Sequence, residues 1–163
     1  MSTVDGLDQG WAALADLDED QRRAQMQSRY TELATISEEE RRGRLASMAK
    51  VEYVLPDDKI RAFHLTRLRV WLGMDPAMIQ SVAASYDAIM DQLPGDIAMR
   101  RIGIVQTLAR SFTVTEQDQL RALLPRVFGD RGTATSSWAA STGAGLLTRR
   151  PVNKPWWAFW KQA

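Results

Sequence analysis

The chain has 163 residues, 45% of them hydrophobic, which is enough for one domain with a substantial core. Its 21 Lys and Arg nearly balance its 20 Asp and Glu, so net charge favours neither nucleic acid nor another highly charged partner. The absence of cysteine excludes disulfides, thiolate catalysis and cysteine-ligated metals. The first residues lack the basic and apolar regions of a secretory signal, and no apolar run approaches the length of a membrane span, so we expect a cytoplasmic protein.

A recurring cluster predicts the helices. An apolar residue is followed each time by Asp, Ser, Thr, Glu or Pro, the residue types that cap helix N-termini or complement the helix dipole. Ser37 and Glu40 have the spacing of a capping box. The apolar residues that lead these clusters are Leu17, Ile36, Leu55, Met74, Leu93 and Val114, which lie 19, 19, 19, 19 and 21 positions apart.

Between the clusters, apolar residues recur every three or four positions, as Leu65, Leu68 and Leu72 do. Strand-like alternation is absent. The pattern predicts helices at residues 8–16, 18–34, 38–54, 57–72, 76–92, 95–111 and 115–127. We therefore expect an all-α domain over residues 1–128, built either as a compact antiparallel bundle of six to seven helices or as a short stack of helical pairs with a period of about 19 residues.

The composition changes after Phe128. Residues 129–150 are rich in Gly, Ala, Ser and Thr, which predicts a flexible linker. Residues 151–163 form an aromatic and basic tail, and no acidic residue occurs from Arg131 onward. The residues that we expect to bind a partner or a membrane are Arg149, Arg150, Lys154, Trp156, Trp157, Phe159, Trp160 and Lys161.

The tail has two candidate targets and one structural alternative. Tryptophan side chains can fill a groove on a partner protein, and they can also settle at a bilayer interface where nearby cations meet anionic lipid. Alternatively, the tail folds back over the helical domain's own core. We expect a partner protein, so the chain is predicted to be a non-enzymatic adaptor, assembly factor or subunit of a larger complex.

A second interaction surface is predicted from arginines in the helical domain. Its residues are Arg61, His64, Arg67, Arg100 and Arg101. The basic run around Arg61 and Arg67 could face phosphates, but Arg67 and Arg69 point to different helix faces and Asp57 and Asp58 would repel DNA, so nucleic acid is disfavoured.

Catalysis and metal binding find little support in this sequence. His64 is the single histidine, which excludes sites that need two, and no nucleophile elbow of the form G-x-S-x-G occurs. We expect no cofactor and no metal site. A ligand pocket inside the helical domain stays open as an alternative, because apolar pockets leave little trace in a sequence. The sequence leaves the oligomeric state open as well.

Overall fold

The computed structural model describes residues 10–128, and these residues form helices without any strand. After a short helical segment at residues 10–13 and a 3-10 turn at Leu14–Asp16, the helices follow in order. They are α1 Glu19–Thr35, α2 Glu38–Glu52, α3 Asp57–Gly73, α4 Pro76–Ala88, α5 Gly95–Ala109, α6 Val114–Leu123 and α7 Pro125–Phe128, with a second 3-10 turn at Ile89–Gln92 between α4 and α5. The prediction of an all-α domain is confirmed.

The period of the sequence is a period of helix starts. Helices α1 to α6 begin at residues 19, 38, 57, 76, 95 and 114, so every interval is 19 residues. In the sequence pattern the last interval is 21 residues, because Val114 is the apolar residue that leads the last cluster. In the structure Thr113 is the N-cap and Val114 the first helical residue, so Phe112 occupies the leading position and the spacing is regular.

Local capping explains most of these starts. Asp18, Ser37, Asp75 and Thr113 each accept a hydrogen bond from a backbone N–H group in the first turn of α1, α2, α4 and α6. The reciprocal capping box predicted at Ser37 is only half made, because the Glu40 side chain pairs with Arg44 instead. A complete box occurs at Thr113 and Glu116.

Two of the predicted helices end four residues earlier than expected. The helix predicted over residues 76–92 changes to a 3-10 turn at Ile89. The helix predicted over residues 115–127 ends at Leu123, because Pro125 lacks an N–H group and disfavours helical geometry in the residue before it. Leu124 accordingly has φ −127° and ψ 62°, and a short helix restarts at Pro125.

The closest packing joins helices that are two or three apart along the chain. Helix α1 packs on α3 and α4, α2 on α4, and α3 on α5 and α6. Only short connections join consecutive helices. The buried faces of helices that are two apart along the chain meet in one core. Glu52, His64, Arg67 and Arg101 lie inside this core.

Candidate functional site

The predicted tail site cannot be placed. Residues 149–161, with the linker and tail predicted at 129–150 and 151–163, lie outside the described residues. The aromatic and basic residues of the tail therefore stay a prediction.

The prediction of a surface at Arg61, His64, Arg67, Arg100 and Arg101 is wrong for three of its five members. His64, Arg67 and Arg101 are 0%, 1% and 0% exposed. Arg61 is exposed, and Arg100 is half-buried. Arg100 forms an ion pair with Asp57 and donates to the Tyr53 carbonyl oxygen at 2.9 Å, so it links α5 to the start of α3.

Helical periodicity explains why these side chains are inside. His64 and Arg67 lie on the same stripe of α3 as the buried residues Ile60, Phe63 and Trp71. Arg101 shares a stripe of α5 with Ile104 and Val105. The spacing of these positions was visible in the sequence and indicated burial, whereas their charge suggested the surface.

At the centre of the core, Arg67 of α3 forms an ion pair with Glu52 of α2. Both side chains are buried, and two guanidinium nitrogens donate to the two carboxylate oxygens, with a distance of 3.0 Å between Arg67 Nη1 and Glu52 Oε1. This bidentate geometry is the strongest arrangement for the pair. It lets both charges leave water without being left unpaired.

Three aromatic side chains complete the hydrogen bonds of this pair. Arg67 Nε donates to Tyr30 Oη at 2.7 Å, and Trp11 Nε1 donates to Glu52 Oε2 at 2.9 Å. Tyr86 Oη donates to Glu52 Oε1 at 3.1 Å and also contacts Arg67 Nη1. Burial raises the pKa of both Tyr30 and Tyr86, so both phenols stay protonated. Tyr30 Oη accepts from Arg67, and Tyr86 Oη donates to Glu52.

His64 completes the cluster as a neutral imidazole. Its Nδ1 lies 3.1 Å from Arg67 Nη1, and because a guanidinium can only donate, Nδ1 must accept. The proton is therefore on Nε2, which lies 3.8 Å from Glu52 Oε1. Burial, followed by the charge of Arg67, holds the pKa of His64 well below its usual value.

A second buried ion pair joins α4 to α5. The Arg101 guanidinium lies over the Tyr86 ring, 3.9 Å from its centroid, and Arg101 Nη2 is 3.9 Å from Asp87 Oδ1. None of the three guanidinium nitrogens of Arg101 has a hydrogen-bond partner among the described residues. Asp87 Oδ2 accepts the backbone N–H of Arg126 at 3.0 Å, which ties α7 to α4. Burial raises the pKa of Asp87, and the Arg126 N–H and Arg101 oppose that shift.

Beside Asp87 the structure has a cavity of about 330 Å³ between α4 and the segment formed by α6 and α7. Its lining residues are Gln80, Ala84, Asp87, Ala88, Ala122, Leu123, Pro125 and Arg126. The Asp87 oxygen without a hydrogen bond is buried near Arg101, and the other is occupied by the Arg126 N–H. The cavity therefore has walls of mixed polar and apolar character, and no carboxylate oxygen of Asp87 is turned toward a ligand.

Within residues 10–128, no group of three or more His, Asp or Glu side chains is arranged to hold a metal ion. No helix in this part of the chain is both long enough and apolar enough to cross a bilayer. The buried network pairs Arg67 with Glu52 and places Arg101 near Asp87, and its members are closed to solvent. Its geometry is that of an internal structural device that fixes how α1 to α5 meet.

Comparison with known proteins gives no match to a family model, a curated protein or a solved structure. The sequence analysis missed several members of the network, namely Trp11, Tyr30, Glu52, Tyr86 and Asp87. For Glu52 a signal was present, because it continues the buried stripe of Leu45 and Ala49 at helical spacing.

Proposed function

We propose that this protein is a non-enzymatic helical binding module of the cytoplasm that docks a partner protein through residues 149–161. The helical domain acts as a folded platform, and the aromatic side chains of the tail act as anchors in a groove of the partner. Such a module suits an adaptor, an assembly factor or a subunit of a larger complex.

The observation that carries the proposal is the composition of the tail. Trp156, Trp157, Phe159 and Trp160 lie within five residues, and four cations flank them between residues 149 and 161. Tryptophan is enriched among the anchor residues that dominate binding energy, and cations without nearby acidic residues steer an encounter with an acidic surface. A segment that served only as a solvated linker would not need clustered aromatic side chains.

The aromatic packing of the helical domain supports its proposed role as a folded platform. Trp11 contacts Tyr30 edge to face, Tyr30 contacts Trp71, and Trp71 contacts Tyr86, with ring centroids 5.7, 5.6 and 5.3 Å apart. These contacts join rings from residues 11 to 86 in one continuous series. Within the described residues, the core of the helical domain is thus filled by aromatic side chains of that domain.

An anionic membrane surface is the second candidate target. The specific observation in its favour is the combination of three tryptophans with Lys154 and Lys161, since indole rings favour the bilayer interface and cations favour anionic headgroups. One short segment gives marginal attachment, so a membrane role would need a second signal.

Three full-length versions of the chain separate these targets: the native chain, a variant with the four tail aromatics changed to Ala, and a variant with residues 151–163 scrambled. Each is assayed for capture of soluble proteins and for flotation with vesicles that contain anionic lipid. Docking in a protein groove depends on the order of the side chains, so we expect capture by the native chain alone. Interfacial binding depends mainly on composition, so it would survive scrambling.

The proposal predicts capture that both variants lose, with no flotation. Flotation of the native and scrambled chains, but not of the Ala variant, would show that the tail binds a membrane instead of a partner protein. Equal behaviour of all three versions would contradict both candidates.

A further inference from the structure

The side chain of Trp11 occupies a pocket whose walls recognise an indole ring. Tyr30 of α1 and Phe63 of α3 meet the ring edge to face, with centroids 5.7 and 5.2 Å away. Glu52 of α2 closes the pocket and accepts the indole N–H at 2.9 Å. Trp11 is 2% exposed. Aromatic walls and one buried acceptor distinguish indole from a phenyl ring, which has no proton to donate.

Besides Trp11, the segment contacts the rest of the domain through Leu14, through Ala15 packed against the core, and through the ion pair of Asp16. Leu14 is its one other buried apolar side chain, and the ion pair between Asp16 and Lys59 is exposed. The segment ends in a single 3-10 turn, whose hydrogen-bond geometry is poorer than that of an α-helix. Such a segment can open locally while helices α1 to α6 stay folded.

The connection to α1 is a two-residue hinge. Leu17 has φ −79° and ψ 156°, and Asp18 has φ −62° and ψ 166°, so both are extended. Asp18 caps α1 through the Gln21 N–H and Leu17 O accepts from Arg22, so the hinge is anchored on the α1 side. Rotation at Leu17 redirects residues 10–16 without disturbing α1.

We propose that the Trp11 pocket is an exchange site, in which residues 10–16 of a second copy of this chain replace the chain's own segment. A second copy is the occupant that we expect, because its segment carries the same Trp11 that fills the pocket within one chain. Exchange conserves the hydrogen bond to Glu52 and both aromatic contacts, and exchange of an identical element is a low-cost route to a dimer. The site involves no residue of the tail and goes beyond the proposed function.

The concentration at which the dimer appears follows from the same argument. The contacts are alike in the closed monomer and in the exchanged dimer, so the equilibrium is set by the effective concentration of the tethered segment. For a short connection this effective concentration is millimolar. We therefore expect a monomer at micromolar concentration and a growing dimer fraction toward millimolar concentration.

The test is light scattering of the full-length chain across that concentration range, with two variants. Trp11→Ala removes the anchor, and Val114→Ala removes an apolar side chain that is 74% exposed and lies on α6. We expect the native chain and Val114→Ala to dimerise alike and Trp11→Ala to stay monomeric. A native chain that is monomeric throughout, or a dimer that persists in Trp11→Ala, would overturn the proposal.

A peptide experiment keeps the test valid should Trp11→Ala fail to fold. The probe is a synthetic peptide of residues 8–18, with a matched peptide that has Ala in place of Trp11, added to full-length Trp11→Phe. In the Trp11→Phe protein, the phenyl ring at position 11 preserves the packing of the pocket but has no proton to donate to Glu52. The native peptide is expected to bind and raise the Tm, and the Ala peptide to do neither. Equal effects of the two peptides would show that the pocket does not exchange its occupant.

Discussion

The ion pair between Arg67 and Glu52 stabilises the protein only while both partners are present. Moving either charge out of water costs several kcal/mol, which the pair recovers through its bidentate contact and the surrounding hydrogen bonds. Tyr30, Tyr86 and Trp11 supply those bonds. The pair therefore matters because it holds α2 and α3 in one arrangement.

Arg67→Met tests this directly. It leaves the Glu52 carboxylate buried without a counter-charge, so we expect the free energy of unfolding to fall by about 3–5 kcal/mol. The double variant Arg67→Met/Glu52→Leu removes both charges and should recover part of that loss, since no charge stays buried and only the neutral donors Trp11 Nε1 and Tyr86 Oη lose their acceptor. Urea denaturation followed by circular dichroism gives both values. A double variant less stable than the single one would contradict this assignment.

His64 gives the protein a predictable pH dependence. The unfolded chain takes up a proton near pH 6.5, whereas the folded chain does not, because the pKa of buried His64 is held well below that value. As the pH falls below 6.5 the unfolded state binds more protons, so the folded state loses stability with a slope that approaches about 1.4 kcal/mol per pH unit. His64→Gln abolishes this component.

The measurement compares the free energy of unfolding of the native chain and of His64→Gln between pH 7 and pH 5. Carboxylates titrate alike in both chains, so the difference isolates the imidazole. Because His64 is the single histidine, its ring signals can also be followed by NMR in the folded protein. A folded-state titration close to pH 6.5 would show that the imidazole is solvated.

At the scale of the helix, the regular spacing of 19 residues comes from local chemistry. Four of the starts have a side-chain cap, whereas α3 and α5 begin after Pro56 and Pro94 without one. Each start also has an apolar stripe behind it, and all of these features are adjacent in sequence. For this reason the helices could be predicted with their starts within one residue at α1 to α6.

Ser37→Ala tests the contribution of one cap. Ser37 Oγ accepts the Glu40 N–H at the start of α2, so its removal should lower the free energy of unfolding by about 1 kcal/mol. Ser28→Ala is the matched control, because Ser28 is exposed inside α1 where Ala is the better helix former. Chemical denaturation compares the two. Equal stability of both variants would show that the Ser37 cap contributes nothing.

The buried network could not be predicted in the same way. Arg67 and Glu52 lie on different helices, and the hydrogen bond between Trp11 and Glu52 spans 41 positions. A charged residue is on average exposed, so the sequence analysis placed His64, Arg67 and Arg101 on a surface. Their positions on apolar stripes indicated burial, but the partners that make burial tolerable are fixed only by the packing of separate helices.

At the scale of the whole molecule, different parts of the chain have distinct proposed tasks. The described helical domain holds Trp11, Tyr30, Trp71 and Tyr86 in one core together with the buried charges of Glu52, Arg67 and Arg101. Residues 149–161 carry the proposed docking function. The tail aromatics should therefore matter for binding and leave the stability of the helical domain unchanged.

The decisive measurement is urea unfolding of the full-length native chain beside the variant with Trp156, Trp157, Phe159 and Trp160 changed to Ala, with partner capture assayed on the same samples. The account predicts that the free energy of unfolding stays within about 0.5 kcal/mol of the native value, as for surface substitutions, while capture is lost. A drop of several kcal/mol would contradict it, because those rings would then be covering the helical domain.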